Sequence, residues 1–172
     1  VGTPIRDALV FVNRALIGVG LRDKIRIIAS GKMLSAFHIL RAMALGADTV
    51  NSARGMMLAL GCIQARTCNS DHCPTGIATQ NPSRNKAIVV TDKAQRVANF
   101  QRETVKNLVE LIGAAGLDDI SQLEPKHINR RIQGSDVKNY AQLYPHIESG
   151  CLLNETTVPD DWKYNWNAAD AK

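Results

Sequence analysis

Three cysteines that lie within twelve residues are the part of this sequence best suited to chemistry. Cys62, Cys68 and Cys73 follow a C-x5-C-x4-C spacing, and Pro74 stands directly after the last of them. Thiolate sulfur is the soft ligand that iron–sulfur clusters require, and a loop this short can wrap one cluster. Because only three ligands lie close together, the spacing predicts a three-iron cluster rather than a four-iron one.

Other interpretations of the cysteines stay open. His72 could complete a Cys₃His zinc site, although neighbouring residues rarely both point at one metal. The three thiols could also be unligated and pack as small apolar side chains. Cys151, far along the chain, could supply a fourth ligand. The clustering itself favours a metal site in a reducing compartment, so we expect a cytoplasmic protein.

Two turns of small residues form the second chemical signal, because each follows a predicted strand and precedes a predicted helix. In parallel α/β folds, ligands bind at the carboxyl ends of strands, and amide groups at a helix start attract phosphate. Lys32 and Arg54 would add positive charge. The turns therefore predict a phosphate site, and its residues are Ser30, Gly31 and Lys32 together with Ser52, Ala53, Arg54 and Gly55.

The elements that must position these residues follow from hydrophobic spacing. Thr3 and Pro4 are typical of a helix start, and apolar residues at helical spacing then continue to about Gly18. A strand at 25–29, a helix at 34–45 and a strand at 49–51 predict one strand–helix–strand unit of a parallel sheet.

The second half of the chain has one long helical pattern, at 92–112, with Asp92 as its expected cap. A short helix is predicted at 126–132. Beyond Gln133 the pattern weakens, so we expect turns, little regular structure and packing through aromatic side chains. These are Tyr140, Tyr144, Trp162, Tyr164 and Trp166.

Length and composition exclude several classes of protein. The chain has 172 residues, whereas a complete (β/α)₈ barrel needs about 250. Its net charge of +5 is scattered, which argues against a nucleic-acid partner and suits an anionic cofactor or a dicarboxylate substrate. No apolar run approaches the roughly 20 residues that span a membrane. A helical pattern that starts at once, without Met, indicates a piece of a longer chain.

Several stretches of the sequence resemble the FMN-binding synthase domain of glutamate synthases, and are most like the stand-alone glutamate-synthase-like proteins. The resemblance covers roughly residues 1–132, and the cysteine loop is its most distinctive part. The stretches are IIASGK at 27–32, RAMALGAD at 41–48, NSARGMM at 51–57, ALGCIQA at 59–65 and CPTGIATQ at 73–80.

The resemblance implies an α/β fold. Residues 1–132 would be the C-terminal portion of a (β/α)₈ TIM barrel with its helical extension, and 133–172 an irregular C-terminal tail. The strands at 25–29 and 49–51 would be the seventh and eighth of the barrel. FMN would bind at the barrel top, its phosphate held by the two turns, and the three cysteines would hold a 3Fe–4S cluster.

The reaction implied by the resemblance is reduction of 2-iminoglutarate, formed from 2-oxoglutarate and ammonia, to L-glutamate. A ferredoxin or an NAD(P)H-linked subunit would donate electrons. The missing N-terminal barrel half would hold much of the flavin and substrate, so we assign no catalytic residue and expect this chain alone to be inactive. The uncovered sheet edges favour homo-oligomers.

Two residues depart from the family's pattern, and the first of them favours the stand-alone subgroup; apart from these departures, two other interpretations stay open. The two-subunit enzymes usually have a glycine where this chain has Lys32, and the family often has Asp where this chain has Asn81. A small cysteine-ligated electron-transfer or structural metal module without flavin is one alternative. A folded fragment that binds nothing is the other.

Overall fold

The chain has a mixed α and β structure, described for residues 2–169 by a computed structural model. Helices predominate and the strands are short. In chain order the elements are α1 (Ile5–Gly18), β1 (Ile28–Ser30), α2 (Ala36–Ala44), β2 (Thr49–Asn51), α3 (Ala53–Leu60), α4 (Pro82–Asn85), α5 (Val90–Ala114), β3 (Asn129–Arg131), β4 (Val137–Asn139), α6 (Tyr140–Leu143) and α7 (Asp160–Ala168).

The predicted strand–helix–strand order is confirmed in the first third of the chain. Strands β1 and β2 pair in a two-stranded sheet, and α2 lies between them in sequence. Strand β1 begins at Ile28, three residues later than expected. Helix α1 is confirmed as well, with Pro4 rather than Thr3 at its N-cap and no side-chain cap.

Two compact units divide the chain. The first contains the described residues up to Ala29, Arg41–Val50 and the residues from Leu117 onward, and so includes α1, β3, β4, α6 and α7. The second contains Ser30–Leu40 and Asn51–Gly116, and so includes α3, α4, α5 and the cysteine loop. Among residues 2–169, none of the helices combines the length and apolar character that crossing a bilayer requires.

The core of the first unit shows why α1 ends in a glycine. Ile147, Cys151, Leu152, Val158 and Trp162 form a buried cluster. A side chain at the last residue of α1 would meet Leu152 at 2.5 Å, so only glycine permits this approach.

The segment beyond Gln133 carries more regular structure than its weak pattern indicated. Strand β4 and helices α6 and α7 all lie there. Trp162 of α7 is buried and stacks on Phe11 of α1, with ring centroids 5.0 Å apart. Burial of this aromatic surface stabilises a helix whose own pattern is polar. The expectation for Tyr164 was wrong, because this side chain is 85% exposed.

Two local expectations in the second half were also wrong. Residues 126–132 form no α-helix: a 3₁₀ helix at Pro125–His127 leads into β3, which pairs antiparallel with β4. Asp92 is not the cap of α5, because Val89 holds that position and Asp92 lies in the first turn. A carboxylate there still interacts favourably with the helix dipole.

Arg22 and Asp48 join the segment before β1 to the turn between α2 and β2. The guanidinium donates to the Asn13 side chain at 2.7 Å, the Gly46 carbonyl at 2.9 Å and the Asp48 carboxylate at 2.9 Å. Asp48 also accepts from the Ile27 amide at 2.7 Å. Burial raises the pKa of the Asp48 carboxyl, but the Ile27 amide and the guanidinium outweigh burial and hold that pKa below its ordinary value.

We expect Asp48→Asn to lower the free energy of unfolding by about 2 kcal/mol at neutral pH, because a half-buried guanidinium loses its anionic partner. A carboxyl whose pKa is lowered by folding stabilises the protein above its unfolded pKa, near 4, and loses that contribution as the pH falls through the folded pKa. Urea unfolding at pH 7 and pH 3 should therefore show the difference shrinking in acid. The exposed Asp23→Asn is the control, and an undiminished loss at pH 3 would contradict the ion-pair account.

Candidate functional site

A cavity of about 790 Å³ lies within the second unit. Its walls come from the turn after β1, from α3 and from the loop that follows α3. Five of the seven predicted phosphate-site residues line it, and so do two of the three cysteines. These residues are Ser30, Gly31, Lys32, Ala53, Arg54, Cys62 and Cys68.

The cavity is electropositive. Lys32, Arg54 and Arg66 line it, and no Asp or Glu is among the described residues that do so. Cations without neighbouring carboxylates attract an anionic ligand, and they do so more strongly in a recess than on a flat surface. The arrangement can therefore bind a phosphate or another compact anion.

Ser52 and Gly55, the remaining two predicted residues, do not line the cavity but shape its wall. The Ser52 hydroxyl donates to the Met33 carbonyl at 2.5 Å, which ties the second turn to the first. Because that hydroxyl is engaged, it does not cap α3, and no side chain within residues 2–169 caps this helix start. Gly55 is buried, and a side chain there would meet the Phe100 ring at 3.2 Å.

The three cysteines have different surroundings. Cys62 is half-buried and its sulfur accepts from the Gln64 amide at 3.4 Å, whereas Cys68 is exposed. Cys73 is buried and does not line the cavity. Within residues 2–169, no group of three or more His, Cys, Asp or Glu side chains is arranged to hold a metal ion. The structure thus places the three thiols on one loop without bringing their sulfur atoms together.

The Cys73 sulfur lies among hydrogen-bond donors. The Thr75 hydroxyl is 3.4 Å away. This hydroxyl, followed by the Ala78 amide, outweighs burial and lowers the pKa of the Cys73 thiol to about 7, with smaller contributions from the Thr75 and Ile77 amides. Donors that converge on one sulfur stabilise a thiolate, which is the form that ligates metal.

His72, the proposed fourth donor of a zinc site, is engaged within the loop itself. One of its ring nitrogens lies against the Ser70 carbonyl. Its backbone carbonyl accepts from the Thr67 hydroxyl at 3.3 Å and from the Arg84 guanidinium at 3.4 Å. In the described part of the chain, the zinc arrangement is therefore no better assembled than the three-cysteine one.

Backbone strain is concentrated around the cavity and the cysteine loop. In the described residues, the four non-glycine positions with positive φ all lie in the second unit: Lys32 (54°), Gln64 (57°), Arg66 (60°) and Asp71 (62°). Each costs roughly 1–2 kcal/mol for a residue with a side chain. Strain of this kind persists where the surrounding structure fixes the backbone, and it often marks functional sites.

Two residues of the site were not predicted from the sequence. Arg66 lines the cavity. Its position between Cys62 and Cys68, as a cation between two potential thiolates, was the sequence feature that could have indicated it. Asp71 accepts from the Thr79 hydroxyl and the Gln80 amide and so connects two parts of the loop. No spacing in the sequence marks that contact.

The net positive charge of the chain is concentrated in the second unit. By sequence, the second unit has nine Lys or Arg and four Asp or Glu, so that 9 − 4 = 5, while the first unit has twelve of each. The scattered surplus noted in the sequence is therefore assigned to the unit that contains the cavity and the cysteines.

A protein-family model described as the conserved region in glutamate synthase matches residues 1–118. Among similar proteins, the glutamate synthase large subunit-like protein YerD of Bacillus subtilis is 41% identical over 143 residues, which cover 83% of this chain and 27% of YerD. An archaeal glutamate synthase [NADPH] of Methanocaldococcus jannaschii is also 41% identical over 143 residues, covering 83% of this chain and 28% of the relative.

The glutamate synthase [NADPH] large chain of Bacillus subtilis is 30% identical over 132 residues, which cover 76% of this chain and 9% of that protein. The chain thus spans about a quarter of the length of YerD and of the Methanocaldococcus jannaschii protein, and far less of the large chain.

We expect Lys32→Gly to raise the free energy of unfolding by about 0.5–1 kcal/mol. Glycine removes the penalty of a left-handed backbone, which exceeds the entropy it adds to the unfolded chain. Lys86→Gly is the matched control, because Lys86 has an ordinary helical φ of −58° and should lose stability. Denaturant unfolding of both variants tests this, and equal destabilisation would show that the strain at Lys32 has no energetic effect.

Proposed function

The chain belongs to the glutamate synthase family, and from that premise we propose that it forms part of an FMN- and iron–sulfur-dependent oxidoreductase. Its reaction would reduce 2-iminoglutarate, formed from 2-oxoglutarate and ammonia, to L-glutamate. One observation carries the proposal: a single electropositive cavity is lined both by the predicted phosphate turns and by two of the loop cysteines.

The FMN phosphate would be held by the two turns. Lys32 and Arg54 supply positive charge, and the first-turn amides of α3 supply donors that no side chain occupies. A helix start of this kind, beside two cations, matches what a phosphate dianion needs. Ser52 and Gly55 would act indirectly, because the hydroxyl joins the two turns and the absent side chain lets α3 pack on Phe100.

A 3Fe–4S cluster would be held by Cys62, Cys68 and Cys73. The chemistry of the donor set fits, because three thiols lie on one loop and the Cys73 sulfur faces hydrogen-bond donors that favour a thiolate. Binding would require the three sulfur atoms, which the structure does not bring together, to converge on the cluster. When bound, the FMN would supply the hydride for imine reduction, and the cluster would supply the electrons that reach the flavin.

The rest of the catalytic domain would come from sequence outside this chain. We propose that β1 and β2 are the seventh and eighth strands of a (β/α)₈ barrel, that residues 1–132 are its C-terminal part and that 133–172 form a C-terminal extension. The N-terminal barrel half would complete the flavin and substrate sites. The electron donor would be a ferredoxin or an NAD(P)H-linked protein in the cytoplasm, where thiolate ligands stay reduced.

Flavin binding tests the phosphate site. In the natural protein that contains this chain, we expect Arg54→Gln to weaken FMN binding by about 10- to 100-fold, the usual effect of losing one charged hydrogen bond. Quenching of flavin fluorescence measures the dissociation constant. Arg102→Gln is the control, because Arg102 is exposed on α5 and does not line the cavity. Equal affinities for the two variants would contradict the assignment.

Iron analysis tests the cysteine assignment. We expect Cys62→Ser, Cys68→Ser and Cys73→Ser each to lower the iron and acid-labile sulfide of the anaerobically purified natural protein by at least several-fold, because each removes one soft ligand. Cys151→Ala, in the core of the first unit, should leave both unchanged. Zinc in place of iron and sulfide would favour a metal module without flavin.

A further inference from the structure

Asp71 lies between the second and third cysteines and holds the loop to the segment that follows it. Its carboxylate Oδ1 accepts from the Thr79 hydroxyl at 2.8 Å and from the Gln80 amide at 2.7 Å. The Asp71 carbonyl also lies 2.7 Å from the same hydroxyl. Asp71, which precedes Cys73, is therefore hydrogen-bonded to Thr79 and Gln80, which follow it. These bonds close a loop of chain that contains Cys73.

The backbone at Asp71 is as specific as its side chain. The residue ends the 3₁₀ turn Cys68–Ser70 with a left-handed φ of 62°, which aims the chain from Cys68 toward Cys73. Asn, Asp and Gly adopt this conformation most readily. Of these three, only Asn and Asp also offer a side-chain oxygen to Thr79 and Gln80.

The negative charge of Asp71 is unexpected for a residue that would only increase the solubility of this loop. The second unit has only four acidic residues, and this one lies in the loop where thiolates would gather. A carboxylate beside thiolates adds repulsion. The hydrogen bonds that the carboxylate accepts from the Thr79 hydroxyl and the Gln80 amide offset this repulsion.

We propose that Asp71 is a positioning residue that fixes the spacing of Cys68 and Cys73 and thereby determines how tightly the chain holds its cluster. The inference rests on the proposed function, because it presupposes that these cysteines hold a cluster. Outer groups that orient metal ligands typically contribute 10- to 100-fold to metal affinity. The cluster itself is held by the sulfur atoms, and Asp71 acts through the backbone that carries them.

Two substitutions at Asp71 separate the hydrogen bonds from the charge. Asp71→Gly keeps the left-handed backbone but removes the acceptor. Asp71→Asn keeps both the backbone and the acceptor but removes the negative charge. In the anaerobically purified natural protein, loss of visible absorbance after addition of an iron chelator measures cluster retention, and a redox titration followed by electron paramagnetic resonance measures the cluster potential.

We expect Asp71→Gly to speed cluster loss by about 10- to 100-fold. Asp71→Asn should retain the cluster within about threefold of the unsubstituted protein and shift its potential to a more positive value, because removal of a nearby negative charge favours the reduced form. The potential reports the nearby charge alone, whereas cluster retention reports the positioning role: a residue that only stabilises the fold would lower the melting temperature of Asp71→Gly without speeding cluster loss from the folded protein. Asp119→Gly is the matched control, because Asp119 caps another 3₁₀ turn, which belongs to the first unit.

Thr79→Val gives a second route to the same conclusion if Asp71→Gly fails to fold. It removes one donor to the carboxylate at nearly constant volume, and it should also speed cluster loss. Retention in Asp71→Gly or Thr79→Val equal to that of the unsubstituted protein would overturn the inference while leaving the cysteine assignment intact. An unsubstituted protein that holds no iron would overturn the proposed function, and this inference with it.

Discussion

The concentration of positive charge in one unit is the constraint on which the candidate site depends. A flavin phosphate and a thiolate-ligated cluster are both anionic, and anions gathered in a recess need cations or amide donors close by. The second unit has the entire net charge of +5, and three of its cations line the cavity. The first unit is neutral by formal charge, and its buried apolar cluster includes Trp162. This division of charge places the cations in the unit that contains the cavity.

The strained backbone of the site depends on the packed elements around it. Gly55 lets α3 approach Phe100 of α5, and Gly76 lies so close to the Arg84 carbonyl that any side chain would collide with it. These contacts fix both ends of the cysteine loop. The left-handed conformations of Gln64 and Arg66 persist between those fixed points, where a free loop would relax. Rigid supports and a strained loop are together typical of sites that hold a ligand in one geometry.

How much of this could be read from the sequence depended on the range of the interaction involved. The helix α1 and the β1–α2–β2 order followed from local spacing, turn residues and caps, and both turns that line the cavity followed from their place after strands. Helix α7 could not be predicted in this way, because it is stabilised by a long-range contact. Its Trp162 packs on Phe11, some 150 residues earlier in the chain. The Asp71 contacts were missed for a similar reason, since acceptor and donors lie in a loop without periodicity. Lys32 stands where the two-subunit enzymes usually have glycine, and its positive φ supplies the physical reason that glycine suits this position.

Anomalous diffraction at the iron absorption edge, from crystals of the anaerobically purified natural protein, tests the proposed site most directly. We expect iron density enclosed by Cys62, Cys68 and Cys73, in the same crystals that show a flavin phosphate between Lys32 and Arg54. Crystals with no iron signal in this loop, or with a flavin phosphate bound elsewhere, would contradict it.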